Sequence, residues 1–344
     1  NASTGLVDSY MVDGVEQVEN DAFCPLVIKD TADSWGMNST EFRQVVGRFS
    51  CMSQEDADAY SGFVYNSMPA VRVVEEGPVR VVIEALMEYH RSTAVLRYGI
   101  PKQGASFTVD LEVVWNEPTH MLKLAVPLKE HSGQCVAQAA CGREEMPSTG
   151  RECVMQKWVA VCGQQQALTV VNNGVYAFDY DQKELRLTLL RSPGYSVHPL
   201  DDREWRMDDH CHPHIDLGER RFSLEVTAGD IKERMEVIER EAQLFNERPY
   251  AVNVFPSGAP GEKVQTLIRI TGDDAVVMVA FKRAMDGNGY ILRLFEPTGS
   301  ARTATVEIPA LHICETVCFT PFELKSFRVS ESGLLPCLLT EIPC

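Results

Sequence analysis

From about Ser61 onward, apolar side chains recur at every second position. Val79, Val81, Ile83, Ala85, Met87 and Tyr89 make one such series. Phe107, Val109, Leu111, Val113 and Trp115 make another, with Ser106, Thr108, Asp110 and Glu112 between them. A period of two puts all the apolar members on one side of a strand and the polar members on the other. Leu185, Leu187 and Leu189 repeat the pattern, as do Phe222, Leu224 and Val226. Glu76-Gly77-Pro78, Pro101-Lys102-Gln103-Gly104 and Asn172-Asn173-Gly174 read as the turns between runs. The expectation is a mainly β protein of stacked antiparallel sheets. Residues 1–60 are less regular, and only Val27–Ile28 and Val45–Phe49 read as strands there. Trp35, Trp115 and Trp158 sit in strand-like runs and read as core residues.

One stretch has a different period. Between Asp230 and Asn246 the apolar residues are Ile231, Met235, Ile238, Ala242 and Phe245, spaced four, three, four and three. That spacing predicts one face of an amphipathic helix, with Asp230 as N-cap, Glu233 at capping-box distance and Pro249 beyond the far end. Alternation resumes in Val264–Ile270, Ala275–Phe281, Tyr290–Phe295, Thr305–Ile308 and Phe322–Val329, with Asp286-Gly287-Asn288-Gly289 turning a hairpin. The chain thus divides into a β domain over 3–228, a connecting helix over 229–248 and a smaller β domain over 249–344.

Composition narrows the function classes. The 344 residues carry a net charge of −17, which repels phosphate backbones and anionic headgroups, so nucleic acid and membrane are poor partners. No run approaches the length of a membrane helix. No leader is visible, and Asn1-Ala2 reads as a vector remnant on a piece of a longer protein. Eleven cysteines cannot all pair within one chain. Several, such as Cys162 and Cys318, lie in apolar runs and read as buried thiols, which suggests a reducing, cytoplasmic setting. No C-x-x-C pair occurs.

Candidate chemistry is sparse. Adjacent carboxylates at Glu144-Glu145, Asp201-Asp202, Asp208-Asp209 and Asp273-Asp274 read as solvated pairs in polar turns. His210-Cys211-His212-Pro213-His214 projects three histidines from one side of an extended segment, a weak zinc candidate set against a plain polar loop. The long irregular stretch from Arg191 to His214 offers Arg191, Tyr195, His198, Asp202, Arg203 and Trp205, groups suited to charge pairing, hydrogen bonding and stacking on a sugar. Packing between domains without sugar contact is the plainer reading of that loop. No G-x-S-x-G turn or dinucleotide loop is present.

Several segments carry a family likeness. Asp30-Thr31-Ala32-Asp33-Ser34-Trp35-Gly36, Val71–Val82, Trp115-Asn116-Glu117 with Met121-Leu122-Lys123-Leu124, and Met146-Pro147-Ser148-Thr149 through Trp158 are four of them. Others are Ala167–Asp179 with Leu185-Arg186-Leu187-Thr188-Leu189-Leu190-Arg191-Ser192-Pro193, Ile215–Phe222, Lys282–Glu296 and Thr320–Lys325. In order and spacing they resemble the C-terminal part of zinc-dependent α-mannosidases of glycoside hydrolase family 38, although Met146 stands where the family has arginine.

The resemblance implies an antiparallel super-sandwich of galactose-mutarotase type, one connecting helix and a smaller C-terminal β-sandwich. It implies that the zinc, the nucleophile and the general acid of a retaining α-mannosidase reside in a separate N-terminal catalytic domain. This chain then holds no catalytic residue and no cofactor of its own, and is inactive alone. Its expected partners are that catalytic domain and an α-mannoside glycan, with homo-oligomerisation left open. The alternative is a stand-alone carbohydrate-binding or mutarotase-like protein, because fold does not fix function.

Overall fold

The computed structural model describes residues 1–30, 33–35, 42–62, 67–195, 213–252 and 266–343. These form two compact units, Asn1–Gln138 with Glu144–Arg234 and Ala139–Arg143 with Met235–Cys344. The architecture is mainly β, as the alternation predicted, and every pairing between neighbouring strands with a resolved register is antiparallel.

In the first unit a six-stranded sheet runs in the order Glu152–Val154, Ala177–Tyr180, Glu184–Arg191, His120–Pro127, Cys24–Lys29 and Val45–Arg48. A ten-stranded sheet includes, in neighbouring order, Trp158–Cys162, Gln166–Asn172, Gly218–Asp230, Phe107–Trp115, Ser92–Pro101 and Arg80–Tyr89. Val71–Glu76 and Ser50–Cys51 both pair with Arg80–Tyr89. One apolar core joins the two sheets: Val109, Leu111 and Val113 from the larger, Leu122, Leu124 and Val126 from the smaller. Phe107, Val109, Leu111, Val113 and Trp115 are all buried, while Thr108, Asp110 and Glu112 are half-buried on the other side.

That other side of the larger sheet carries a ladder of alternating charge. Glu84 accepts from both Arg72 (2.8 Å) and Arg97 (2.7 Å), and Glu112 pairs with Arg97 (3.6 Å) and Arg221 (3.1 Å). Arg221 also reaches Glu219 at 2.8 Å. Opposite charges on cross-strand neighbours support the sheet where like charges would oppose it.

The structure departs from the sequence reading at several points. Trp115 and Trp158 are fully buried, but Trp35 is 67% exposed. It lies in a turn, its N–H donating to the Asp33 carboxylate at 2.9 Å, so no strand carries its ring inward. Cys162 is buried, whereas Cys318 is exposed because strand Ile313–Phe319 turns Val317 and Phe319 to the core. Glu144 and Glu145 lie on a strand, Gly142–Met146, and not in a turn.

A second helix also appears, α1 (Gln54–Ser61). Ser53 caps it by accepting from the Asp56 N–H, and Gly62 ends it in the left-handed region. Ala57 is its only buried residue, and it packs with Met52, Leu86 and Val95 on the outer side of the larger sheet. This cover explains why Leu86 and Met87 are both buried although adjacent on one strand.

The expected helix is present as α2 (Ile231–Asn246), directly continuing strand Gly218–Asp230. Asp230 accepts from the Glu233 N–H at 3.0 Å, the predicted cap, and Ile238 and Ala242 are fully buried. The boundary between the two units falls inside this helix, after Arg234.

The second unit pairs a three-stranded sheet (Arg269–Thr271, Arg302–Ile308, Ile313–Phe319) with a four-stranded one (Val277–Arg283, Tyr290–Phe295, Leu324–Ser330, Gly333–Cys337). Leu292, Leu294, Val306, Val317, Phe327 and Val329 share one core. The hairpin at Asp286–Gly289 is as predicted. Gly287 and Gly289 both have positive φ, and a Cβ on Gly289 would meet the Val329 carbonyl at 2.8 Å.

Below this core a fully buried carboxylate, Glu296, organises the following loop. It accepts from the N–H groups of Thr298 (2.7 Å), Gly299 (2.9 Å), Ser300 (3.2 Å) and Phe322 (2.9 Å). Burial opposes its ionisation, but these donors and the Thr298 hydroxyl hold it below the ordinary carboxylate range.

Candidate functional site

A cluster of polar residues of the first unit lies on the outer face of the six-stranded sheet. Lys123 pairs with Thr188, Asp179 with Arg186, and Glu152 with Asp179, so all five side chains stand on one side. At Leu189 the strand Glu184–Arg191 bulges: Lys123 faces Thr188 while Leu122 faces Leu190 and Met121 faces Arg191. The extra residue lets Arg191 share a face with Thr188, three positions earlier, which strict alternation would forbid.

Lys123 is wholly inaccessible, and its Nζ lies 2.5 Å from Asp179 and 2.6 Å from Glu152. Asp179 is equally buried and also pairs with Arg43, whose other nitrogen reaches Asp181 at 2.5 Å. Thr188 donates to the second oxygen of Glu152. Burial pushes the Asp179 carboxyl above its ordinary range, against the pull of Lys123 and Arg43. Asp181 goes the other way: burial is outweighed by the Lys183 and Glu184 N–H groups and by Arg43.

Next to this cluster Arg191 forms a two-pronged bridge to Asp30, Nε–H at 2.9 Å and Nη2–H at 2.7 Å. Nη2 also donates to the Asp33 carbonyl at 3.1 Å, and the guanidinium lies 4.7 Å from the Phe42 ring centroid. The following residue is equally fixed. Ser192 is buried, its hydroxyl accepts from the Trp115 indole at 2.7 Å, and its backbone bonds to Thr119 and His120. The chain then leaves through a short stem, in which Tyr195 N–H donates to Pro213 O and Ile215 N–H to Pro193 O.

Of the sequence-derived candidates, Arg191 is thus a clamp on the Asp30–Asp33 segment. Tyr195 is 62% exposed at the stem, and His214 stands opposite Gly194 with its Nε2 buried and without a hydrogen-bond partner among the described residues. His198, Asp202, Arg203, Trp205, His210 and His212 lie outside the described residues, as do the pairs Asp201-Asp202 and Asp208-Asp209. Among the described residues no three His, Cys, Asp or Glu side chains gather as a metal site requires.

Sequence reasoning missed the Lys123 cluster and the exposed Trp35. Arg191 fastens the segment that carries the exposed Trp35, and the exposed Tyr195 follows Arg191 by four positions on its own strand's continuation. Such a set can present apolar ring faces and fixed hydrogen-bonding groups to a polyhydroxylated molecule, with little conformational entropy lost on binding.

Residues 52–209 match the glycosyl hydrolases family 38 C-terminal domain. Alpha-mannosidase G of Dictyostelium discoideum is 22% identical over 295 residues, covering 75% of this chain and 26% of that protein. The crystal structure of an alpha-mannosidase from Enterococcus faecalis V583 superimposes with a TM-score of 0.66 at 11% identity, over 92% of this chain and 39% of that one. A second Enterococcus faecalis structure, of a protein in glycosyl hydrolase family 38, gives 0.66 at 12% identity, over 92% and 40%. The chain spans about a quarter of the curated relative, 26%, and about two fifths of the solved structures. Lys123, Glu152, Asp179, Arg186 and Arg191 all fall within the residues that match the glycosyl hydrolases family 38 C-terminal domain.

Proposed function

We propose that this chain is the non-catalytic β part of a retaining α-mannosidase, packing against a catalytic domain and walling its sugar-binding cleft. The observation that carries the reading is the clamp at Arg191, which fastens the segment bearing an exposed Trp35. An exposed tryptophan on a segment fixed by a buried ion pair is poorly explained by folding alone, since large exposed apolar surface usually meets a ligand or partner. In this reading the zinc belongs to the catalytic domain, the substrate is an α-mannoside glycan, and the setting is cytoplasmic.

The test compares this chain with the full-length enzyme on an aryl α-mannoside. The full-length enzyme should turn the substrate over, contain stoichiometric zinc and lose both on chelation, while this chain alone does neither. In the full-length enzyme Trp35→Ala should raise KM on an extended mannoside by roughly ten-fold, equivalent to about 1.4 kcal/mol of lost binding. Activity in the isolated chain would refute the reading. Unchanged kinetics for Trp35→Ala and Tyr195→Ala would remove the cleft-walling role.

A further inference from the structure

A separate cleft of about 1230 Å³ lies on the first unit, between the N-terminal segment and the inner face of the larger sheet. Its size suits a small molecule. The floor is apolar, built from Val73, Ile83, Tyr98, Ile100 and Phe107. Val73 pairs with Ile83 and Ile83 with Tyr98, so these three stand side by side on one face. Exposure rises across that floor, from 5% at Tyr98 to 57% at Val73.

The N-terminal wall is fastened by two phenols. The Tyr98 hydroxyl donates to Gly5 O at 3.0 Å. The Tyr10 hydroxyl donates to Ala105 O at 2.8 Å and accepts from the Ala228 N–H at 2.9 Å. Tyr10 also packs edge-on against Phe107, with centroids 4.9 Å apart. Both tyrosines therefore show the cleft their ring bodies, their polar tips being engaged.

The charges lining the cleft are unevenly occupied. Arg72 is paired with Glu84, and the Arg234 guanidinium bonds to the Thr169 hydroxyl. Asp8 accepts from Asn1 and the Asp21 N–H, and Asp230 caps α2. The carboxylates of Asp13 and Glu233 have no partner among the described residues, and both residues are exposed. An apolar floor thus meets a rim where four carboxylates, Asp8, Asp13, Asp230 and Glu233, outnumber the one cation left beside them, Arg234, on a chain of net charge −17. Such a rim attracts cations and repels anions of the same shape.

We propose that this cleft binds a small amphipathic cation, its hydrocarbon body on the Val73–Ile83–Tyr98 floor and its amine head at the Asp13 and Glu233 rim. The inference is independent of the mannosidase reading. The test is isothermal titration of the full chain with n-hexyl-, n-heptyl- and n-octylammonium, and with octanoate as the anionic control. One saturable site is expected, tightening about four-fold per added methylene. Octanoate should bind roughly ten-fold more weakly than octylammonium. Asp13→Asn with Glu233→Gln should erase the preference for the amine while keeping the chain-length dependence. Val73→Trp should fill the floor and weaken binding of every homologue. If that variant fails to fold, the exposed Asp13/Glu233 pair still decides the question. Absence of saturable amine binding at millimolar concentration, equal binding of octanoate, or binding untouched by the variants would each overturn the proposal.

Discussion

Replacing Lys123 by methionine isolates the energetics of the buried cluster. Methionine keeps most of the side-chain volume and the strand pairing, so the change removes one charge and its hydrogen bonds. Among the described residues Asp179, fully buried, then keeps only Arg43, and Glu152 keeps only the Thr188 hydroxyl. Breaking a buried ion pair from one side costs about 3–5 kcal/mol, because the partner left behind stays desolvated. For a unit of this size each kcal/mol lowers Tm by about 2–4 °C, so the first unit's transition should fall by roughly 6–20 °C.

The loss should depend on pH in a definite sense. The Asp179 carboxyl already sits above its ordinary range through burial, and losing Lys123 raises it further. A raised carboxyl is fully compatible with the fold below its unfolded pKa, and stability drains away as pH climbs through the folded value. The deficit of Lys123→Met relative to wild type should therefore grow from mildly acidic to neutral pH. Adding Asp179→Asn should recover much of it. Calorimetry at two pH values on the single and double variants decides the matter. A Tm change under about 2 °C, or a double variant worse than the single, would refute the reasoning.

Three further outcomes are expected. Arg191→Lys keeps the charge but loses the two-pronged bridge to Asp30; the first unit should lose about 1–3 kcal/mol by urea denaturation, with faster proteolysis near Trp35. Trp115→Phe leaves the buried Ser192 hydroxyl without the indole donor and should cost about 1–3 kcal/mol, whereas Trp35→Phe should stay within about 0.5 kcal/mol. The Glu296 carboxyl lies below its ordinary range, so its contribution is present above the unfolded pKa and lost as pH falls through the folded one. Tm of the second unit should accordingly drop in acid, and Glu296→Gln should flatten that drop; identical acid profiles would count against the loop-organising role.

The parts of the fold that sequence reading captured are those where one side of an element meets a core and the other meets water. Phe107–Trp115 and α2 both satisfy that condition, and both were read with their inward faces correct. Where each side is covered, the pattern loses its contrast: Leu86 and Met87 are adjacent and both buried, because α1 lies over the outer side. Helix α1 itself buries one alanine, so no periodicity marks it, and only Ser53, the acidic first turn and Gly62 signal it.

The site was half legible. Arg191 stood out beside an irregular stretch, but its true partner, Asp30, is 161 positions away. Lys123 stands in the sequence between Leu122 and Leu124 with no carboxylate beside it. Its carboxylate partners arrive from two other strands, and the bulge at Leu189 that brings Arg191 to the same face leaves no trace in composition. Trp35 misled because an aromatic residue among polar neighbours was assigned inward, whereas a turn held by Asp33 carries it outward.

The charge ladder on the outer side of the larger sheet has an evolutionary corollary. Arg72, Glu84, Arg97, Glu112, Arg221 and Glu219 each touch a rung of opposite sign, so reversing any one sets two like charges together. Drift at a single rung is therefore penalised, as is a swap of one neighbouring pair, whereas reversing the sign of all the rungs together is nearly neutral. Across homologous chains these six positions should change in concert, sign following sign along the strands, even where little else of the surface is shared.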